Sequence, residues 1–297
     1  MQFGVYCIEC VTKRYAKLLK AQRDQEKARV CFLEMQRAMA DAPENVAAPY
    51  LVHTFDKIFG KYFHREDRYA QIKKASNDFV LSRLGEMRQA VDADPDPLKA
   101  ALRYARLCNY IDYGPLGDSV SEEFLDGLLK KAADEVIDEK EYGNFLHDLD
   151  GAKKLLYITD NAGEIVADRL VIEKLLERRP ELDVCVCVRG GAVINDALYE
   201  DAEAAGIPEL ARVIDNGSSI SGTQIQFVGE DLRRELETAD VILSKGQGNF
   251  ETMHGCGLNV YYVFLCKCEW FVKLFHLPML TGMFLNENRV QTYDINE

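Results

Sequence analysis

The sequence predicts an α/β fold in which a helical N-terminal subdomain precedes a mostly parallel β-sheet. Through residue 150, apolar side chains recur at the three- and four-residue spacing of amphipathic helices. From Lys153 onward, short apolar runs alternate with helical patterns, which indicates crossover units that join parallel strands. We therefore predict a helical subdomain over residues 1–150 and an α/β domain over residues 151–297.

The N-terminal half is predicted to consist of helices separated by proline-containing breaks. Pro43 follows Asp41 as at a helix start, and the run Asp94-Pro95-Asp96-Pro97 indicates a break and a new start. The predicted helices cover residues 11–39, 46–63, 65–91, 98–108, 119–133 and 138–149.

In the C-terminal half, strands and helices alternate. Apolar runs bounded by turn residues predict strands at 155–159, 182–188, 213–214, 241–244, 259–265, 279–284 and 290–293. Helical patterns cover 163–178, where Pro180 ends the helix, a segment that ends at Ala205, and residues 232–236 and 270–275.

The composition of the chain disfavours nucleic-acid-binding, membrane-spanning and secreted proteins. The net charge of −13 over 297 residues disfavours general nucleic-acid binding, which needs a basic surface. No apolar run approaches the roughly 20 residues of a membrane helix, and the segment from Gln2 to Tyr6 is too short for a secretory signal. We expect a cytoplasmic protein that binds neither membrane nor nucleic acid; its oligomeric state stays open.

The nine cysteines form an odd number without the spacing of a small disulfide scaffold, so they are expected to be reduced thiols. Cys185 and Cys187 alternate along one predicted strand and are expected to be core residues. Cys266 and Cys268 repeat that spacing. Cys7 and Cys10 would share one face of a helix, where a redox pair, half of a metal site and core packing all remain possible.

Polar residues follow three of the predicted strands where each strand ends. Asp160 and Asn161 follow the first, Asp196 lies after the second, and residues 245–251 (Lys-Gly-Gln-Gly-Asn-Phe-Glu) follow the strand at 241–244. In open α/β sheets, ligands bind outside the carboxyl ends of the strands, and neighbouring strands lie about 5 Å apart. These three strand ends are therefore expected to meet at one ligand.

The chemistry of these residues suits a cation and a phosphate. Asp160, Asn161 and Asp196 offer hard oxygen ligands, although an Asp-Asn pair after a strand is also a common turn or helix cap. Lys245 could hold a phosphoryl oxygen or be a solvated lysine, and Gly246 would let backbone N–H groups approach a phosphate. The segment is not a P-loop, and no Gly-x-Ser-x-Gly nucleophile elbow occurs.

Taken together, these motifs resemble the damage-control phosphatase family, a metal-dependent family formerly known as a domain of unknown function, some of whose members were described as acidic-residue methyltransferases. The resemblance rests on residues 160–164 (Asp-Asn-Ala-Gly-Glu), 194–196 (Ile-Asn-Asp), 244–251 (Ser-Lys-Gly-Gln-Gly-Asn-Phe-Glu) and 109–114 (Asn-Tyr-Ile-Asp-Tyr-Gly). Cys7 and Cys10, followed by Arg14, resemble the start of its stand-alone, mostly prokaryotic branch.

The resemblance implies a three-layer α/β/α sandwich beside a helical domain, and it implies roles for particular residues. Asp160, Asn161 and Asp196 would be the metal ligands, and Lys245 would contact the substrate phosphate as a catalytic residue together with Asp160. The remaining substrate-binding residues would be Asn109, Asp112, Gly246, Asn249 and Glu251.

The activity that the resemblance implies is hydrolysis of phosphate monoesters of small metabolites, such as sugar phosphates and damaged or over-accumulated intermediates. It would require a divalent cation, Mn²⁺, Co²⁺, Ni²⁺ or Mg²⁺, and would proceed by metal-assisted attack of water. Direct attack by Asp160 is disfavoured, because coordination to a metal weakens a carboxylate as a nucleophile.

Two other functions are compatible with the pattern. An S-adenosylmethionine-dependent carboxyl methyltransferase would also place an acid at a strand end, but it would want a glycine-rich loop there, and residues 160–164 contain a single glycine. A non-enzymatic regulator could bind a phosphometabolite in the same pocket.

Overall fold

The structure, a computed structural model, describes residues 1–64, 69–110, 126–127 and 129–292. The chain begins with helices α1 (Val5–Lys20), α2 (Gln25–Ala40) and α3 (Ala48–Tyr62). These three helices enclose an apolar core of their own, which includes Tyr15, Met35 and Phe55.

Two details of this region differ from the sequence prediction. The single helix predicted at 11–39 is two helices, because Asp24 caps α2 by accepting a hydrogen bond from the backbone N–H of Lys27. The start signal at Pro43 was wrong: the next helix begins at Ala48 and carries Pro49 in its first turn.

The helices that the structure describes in full between α3 and the sheet are α4 (Tyr69–Ala93), α5 (Pro97–Leu107) and α6 (Glu139–Gly151). The predicted start at Asp96 is confirmed, since its side chain accepts a hydrogen bond from the backbone N–H of Lys99. A short 3-10 turn, Cys108–Tyr110, follows α5 and carries Asn109. The helix predicted at 119–133 lies largely outside the described residues.

The sheet has six strands: β1 (Lys154–Ile158), β2 (Asp183–Val188), β3 (Arg212–Asp215), β4 (Val241–Lys245), β5 (Val260–Leu265) and β6 (Gly282–Asn286). Their order is β3-β2-β1-β4-β5-β6. The first five are parallel and β6 pairs antiparallel with β5, which confirms a mostly parallel sheet. The strand predicted at 290–293 was wrong over residues 290–292; residue 293 lies outside the described residues.

The remaining helices are α7 (Glu164–Arg178), α8 (Tyr199–Ala204), α9 (Glu230–Thr238), α10 (Gln247–Met253) and α11 (Glu269–Phe275). Helix α10 was not predicted. It begins directly after Gly246, whose φ of 85° lies in the region that favours glycine.

The two faces of the sheet have separate apolar cores, which confirms the α/β/α sandwich. Leu155 and Tyr157 of β1 pack with side chains of α4, α5, α6 and α7. Leu156 and Ile158 pack with α9, α10 and α11 on the opposite face. Helices α4 to α6 thus share the core of the sheet while α1 to α3 do not; the predicted domain boundary near residue 150 stays a prediction.

The cysteines of β2 lie where the alternation predicts. Cys185 and Cys187 are buried on the same face of the sheet, and burial raises the pKa of both thiols. Cys266 is buried in the same core, and Cys268 is partly buried against it. Among the described residues, no helix combines the length and the apolar character that crossing a membrane requires.

Candidate active site

The candidate site lies at the carboxyl ends of three adjacent strands. Strand β1 has β2 on one side and β4 on the other, so the strand order reverses next to β1. Such a switch point is where open α/β sheets bind ligands. The three strand ends singled out in the sequence are those of these neighbouring strands.

Backbone hydrogen bonds tie the end of β1 to the segment that follows β2. Asn161 and Asp196 form an isolated antiparallel bridge. On either side of it, the N–H of Ala197 donates to the carbonyl of Asp160 and the N–H of Ala162 donates to that of Asn195, both at 2.8 Å. The bridge therefore holds Asp196 beside Asn161.

The carboxylate of Asp160 is held by two amides. Its Oδ2 accepts hydrogen bonds from Nδ2 of Asn109 at 2.9 Å and Nδ2 of Asn161 at 2.7 Å. The same nitrogens donate to Oε2 of Glu164, at 2.7 Å and 3.1 Å respectively. Because two carboxylates fix the amide nitrogen of Asn161, its amide oxygen is the atom that can ligate a cation.

Asp196 is oriented by a buried arginine and a serine. The Nε of Arg189 donates to its Oδ2 at 2.6 Å, and the hydroxyl of Ser221 lies 3.1 Å from each carboxylate oxygen. Arg189 also donates to Oδ1 of Asn249 at 3.2 Å. Asn249 in turn donates to the carbonyl of Thr159 at 3.0 Å, so it joins α10 to the end of β1.

Lys245, the last residue of β4, lies wholly buried between two carboxylates of α7. Its ammonium donates to Oε1 of Glu164 at 2.6 Å, to Oδ1 of Asp168 at 2.8 Å and to the carbonyl of Ala105 at 3.2 Å. Burial by itself lowers the pKa of Lys245, but the charges of Asp168 and Glu164 outweigh it and the net pKa is raised. The predicted contact with a phosphate stays a prediction, and it would require one of these three bonds to be exchanged.

The carboxylate of Asp168 is fully buried. Burial raises the pKa of its carboxyl, and the positive charge of Lys245 opposes that rise. The hydroxyl of Tyr157 donates to Oδ1 of Asp168 at 2.7 Å, whereas Oδ2 of Asp168 is buried and has no hydrogen-bond partner among the described residues. The Glu164–Asp168–Lys245 cluster thus holds two acids and one base inside the sandwich.

The structure places two of the other predicted pocket residues, Asn109 and Glu251, in different surroundings. Asn109 is brought directly to Asp160, while Glu251 lies on α10 and accepts a hydrogen bond from Nε2 of Gln247 at 2.7 Å. Burial raises the pKa of the Glu251 carboxyl. Asp112 lies outside the described residues, and the substrate contacts assigned to these residues stay predictions.

Among the described residues, the side chains of Glu164, Asp168, Arg189 and Ser221 contact the surroundings of the predicted ligands or Lys245, and none of them had an assigned role in the sequence prediction. The sequence does contain an indication that Glu164 and Asp168 are buried together. They lie at i and i+4 of a helix whose neighbouring residues are apolar, so both carboxylates share a buried face and need a cation. Arg189 and Ser221 left no signal beyond their place in polar segments after strands.

Asp160, Asn161 and Asp196 offer oxygen donors of the kind that a divalent cation takes. Within the described residues, no cluster of three His, Cys, Asp or Glu side chains that could hold a metal is found, and the predicted set differs from such a cluster because one of its three members is an amide. Two carboxylates and an amide oxygen are ligands that hard cations prefer. The backbone also approaches this set closely: a Cβ added at Gly246 would lie 2.1 Å from Cγ of Asp160.

That close approach makes a testable prediction for Gly246→Ala. The methyl group would displace the Asp160 carboxylate, and a φ of 85° would strain the alanine backbone. We expect a loss of about 1–3 kcal/mol in the free energy of unfolding and a larger, at least tenfold, loss of divalent-cation affinity. Urea unfolding and cation titration measure the two effects.

Gly255→Ala is the matched control. Gly255 has a similar φ of 92°, but a Cβ there meets nothing within 4 Å. The Gly255→Ala variant should lose stability through backbone strain but keep the cation affinity of the unmodified protein. Equal cation affinities in the two variants would contradict the close packing of Gly246 on Asp160.

Known proteins resemble nearly the whole length of this chain. A family model described as the damage-control phosphatase ARMT1-like domain matches residues 5–279. A protein of Archaeoglobus fulgidus named as a damage-control phosphatase is 29% identical over 281 residues, which cover 91% of this chain and 93% of the relative. A second protein of that name, from Pyrococcus horikoshii, is 26% identical over 284 residues and covers 94% of this chain and 96% of the relative.

Among solved structures, the crystal structure of a DUF89 family protein from Pyrococcus horikoshii superposes with a TM-score of 0.79 and 25% identity. The match covers 97% of this chain and 99% of the other. The fold, the strand-end residues and the family match lead to one conclusion: this chain belongs to the damage-control phosphatase ARMT1-like domain family.

Proposed function

We propose that this protein is a divalent-metal-dependent phosphatase that hydrolyses phosphate monoesters of small metabolites at the carboxyl ends of β1, β2 and β4. One observation carries the proposal: a backbone bridge holds Asn161 of the first strand end against Asp196 of the second. Membership of a phosphatase family supports the same reading.

The cation would be held by Asp160, Asn161 and Asp196. Their oxygens suit Mg²⁺, Mn²⁺, Co²⁺ or Ni²⁺, which share an oxygen-rich geometry. When bound there, a divalent cation supplies Lewis-acid polarisation of the phosphoryl group and offsets its negative charge.

The residues around these ligands fix their geometry. Arg189 and Ser221 hold the carboxylate of Asp196, while Asn109 holds that of Asp160. Glu164 fixes the amide of Asn161 and is itself held by Lys245. Such supporting contacts raise metal affinity because the ligands need no reorganisation on binding.

Lys245 therefore has a positioning role that is independent of any substrate. Through Glu164 it sets the orientation of the two amides that contact Asp160. The proposed contact of Lys245 with a phosphate oxygen is a second role, and it would require the ammonium to exchange its hydrogen bond to Glu164, Asp168 or the carbonyl of Ala105.

A phosphate-release screen tests the proposed function. Purified protein is assayed against sugar phosphates and nucleotides with each of the four cations, and in chelator as the metal-free control. We expect release of inorganic phosphate with at least one cation and none in chelator. Ligand-induced melting shifts without phosphate release under any condition would contradict the proposal and favour a binding protein.

A further inference from the structure

A cavity with a volume of about 780 Å³ lies between helices α2 and α3 and the loop that follows β3. Three basic side chains line it: Arg37 from α2, and Lys57 and Lys61 from α3. Two aromatic rings, those of Tyr50 and Phe227, also line it and stack with their centroids 5.3 Å apart.

The basic residues are not all neutralised by the protein. Lys61 pairs with Glu34 at 2.7 Å. In the part of the chain that the structure describes, neither Arg37 nor Lys57 forms an ion pair, and both are exposed. Glu34 and Asp41 are the acids in the lining, so the cavity carries a small excess of positive charge on a protein whose net charge is −13.

One loop connects this cavity to the candidate active site. Nδ1 of His53 in α3 donates to the carbonyl of Ser219 at 2.9 Å, and Ser219 lines the cavity. Two residues further on, the hydroxyl of Ser221 donates to the carboxylate of Asp196. Two residues span at most about 7 Å of chain, so Ser219 at the cavity lies within about 7 Å, between Cα atoms, of the residue that contacts Asp196.

We propose that the cavity binds the non-reacting end of the substrate and that this end carries a second phosphate. Arg37 and Lys57 supply unpaired positive charges of the kind that bind phosphate, and the Tyr50–Phe227 pair supplies an apolar wall for the carbon skeleton. The substrate class is then a bisphosphorylated small metabolite. This inference rests on the proposed function, because it identifies the substrate class of the same site.

The test compares two substrates that share a reacting phosphate, glucose 1,6-bisphosphate and glucose 1-phosphate. The double variant Arg37→Gln with Lys57→Gln should raise KM for the bisphosphate about tenfold and leave KM for the monophosphate within about twofold. The double variant Lys17→Gln with Lys20→Gln makes the same charge change on α1, outside the cavity. It should change neither the KM for the bisphosphate nor the KM for the monophosphate. Equal effects on both substrates, or no effect on either, would overturn the proposal.

A binding measurement separates this inference from the proposed function. Calorimetric titration of glucose 1,6-bisphosphate in metal-free buffer needs no turnover. Weaker binding by the Arg37/Lys57 double variant than by the Lys17/Lys20 control supports phosphate binding in the cavity. Equal binding by the two double variants refutes it. If the difference appears although no phosphate is released from any compound, the phosphatase proposal fails while the anion-binding cavity stands.

Discussion

Replacing Asp160 with alanine is expected to abolish phosphate release while the protein remains folded. The change removes one of two carboxylates from the proposed cation site and takes an acceptor away from Asn109 and Asn161. Polarisation by a cation is worth several kcal/mol, so activity should fall about 1,000-fold or more. The fold should persist, because Glu164 still accepts hydrogen bonds from both amides.

Steady-state phosphate release in saturating Mn²⁺, together with urea unfolding, measures both parts of this prediction. Asp183→Ala serves as the control, since it removes one negative charge from the opposite end of the sheet, at the exposed start of β2. Near-normal turnover by Asp160→Ala in metal-replete buffer would remove Asp160 from the mechanism.

Replacing Lys245 with methionine is expected to destabilise the fold by about 3–5 kcal/mol, because it leaves two buried acids without their cation. The side chains of Lys245, Glu164 and Asp168 are all 0% exposed, so water cannot solvate the carboxylates that remain. Methionine matches the length of the lysine stem, which limits any effect of lost volume. The free energy of urea unfolding reports the change.

Lys174→Met is the matched control for this variant. Lys174 is also largely buried, but its partners Asp92 and Glu177 have exposed fractions of 50% and 62% and stay solvated when the lysine is lost. We expect a cost below about 1 kcal/mol there. A Lys245→Met cost no larger than that of Lys174→Met would show that the buried cluster is not under the electrostatic constraint described here.

Adding Asp168→Asn to Lys245→Met tests the electrostatic origin of this cost. The second change removes one of the two uncompensated buried charges and should recover part of the lost stability. A double variant no more stable than Lys245→Met would show that the loss of charge compensation at Asp168 is not the cause.

The sheet and the strand-end residues were predictable because buried parallel strands leave a clear pattern. The runs that became β1, β2 and β4 are short, apolar and bounded by polar residues, and the carboxyl ends of such strands are where sites form. Their convergence on one ligand was expected, but the strand order that places β1 between β2 and β4 was not predictable from spacing alone, because strand order depends on how each crossover packs.

The features that were missed depend on tertiary contacts. Helix α10 contains few strong helix formers and begins after a glycine with positive φ, so local propensity favoured a loop. The burial of Lys245 depends on Glu164 and Asp168 of α7, which are far from it in sequence and meet it only in the folded structure. The break between α1 and α2 falls in the polar stretch at residues 20–27, which the single helix predicted over residues 11–39 spanned, and the Asp24 cap marks the start of α2 there.

The central claim is that Asp160, Asn161 and Asp196 together hold one divalent cation. Calorimetric titration of Mn²⁺ into the metal-free protein and into the Asp160→Ala and Asp196→Ala variants tests it most directly, with no need for a substrate. We predict one site per chain in the unmodified protein and its loss in each variant. Undiminished binding of Mn²⁺ by both variants would contradict the claim.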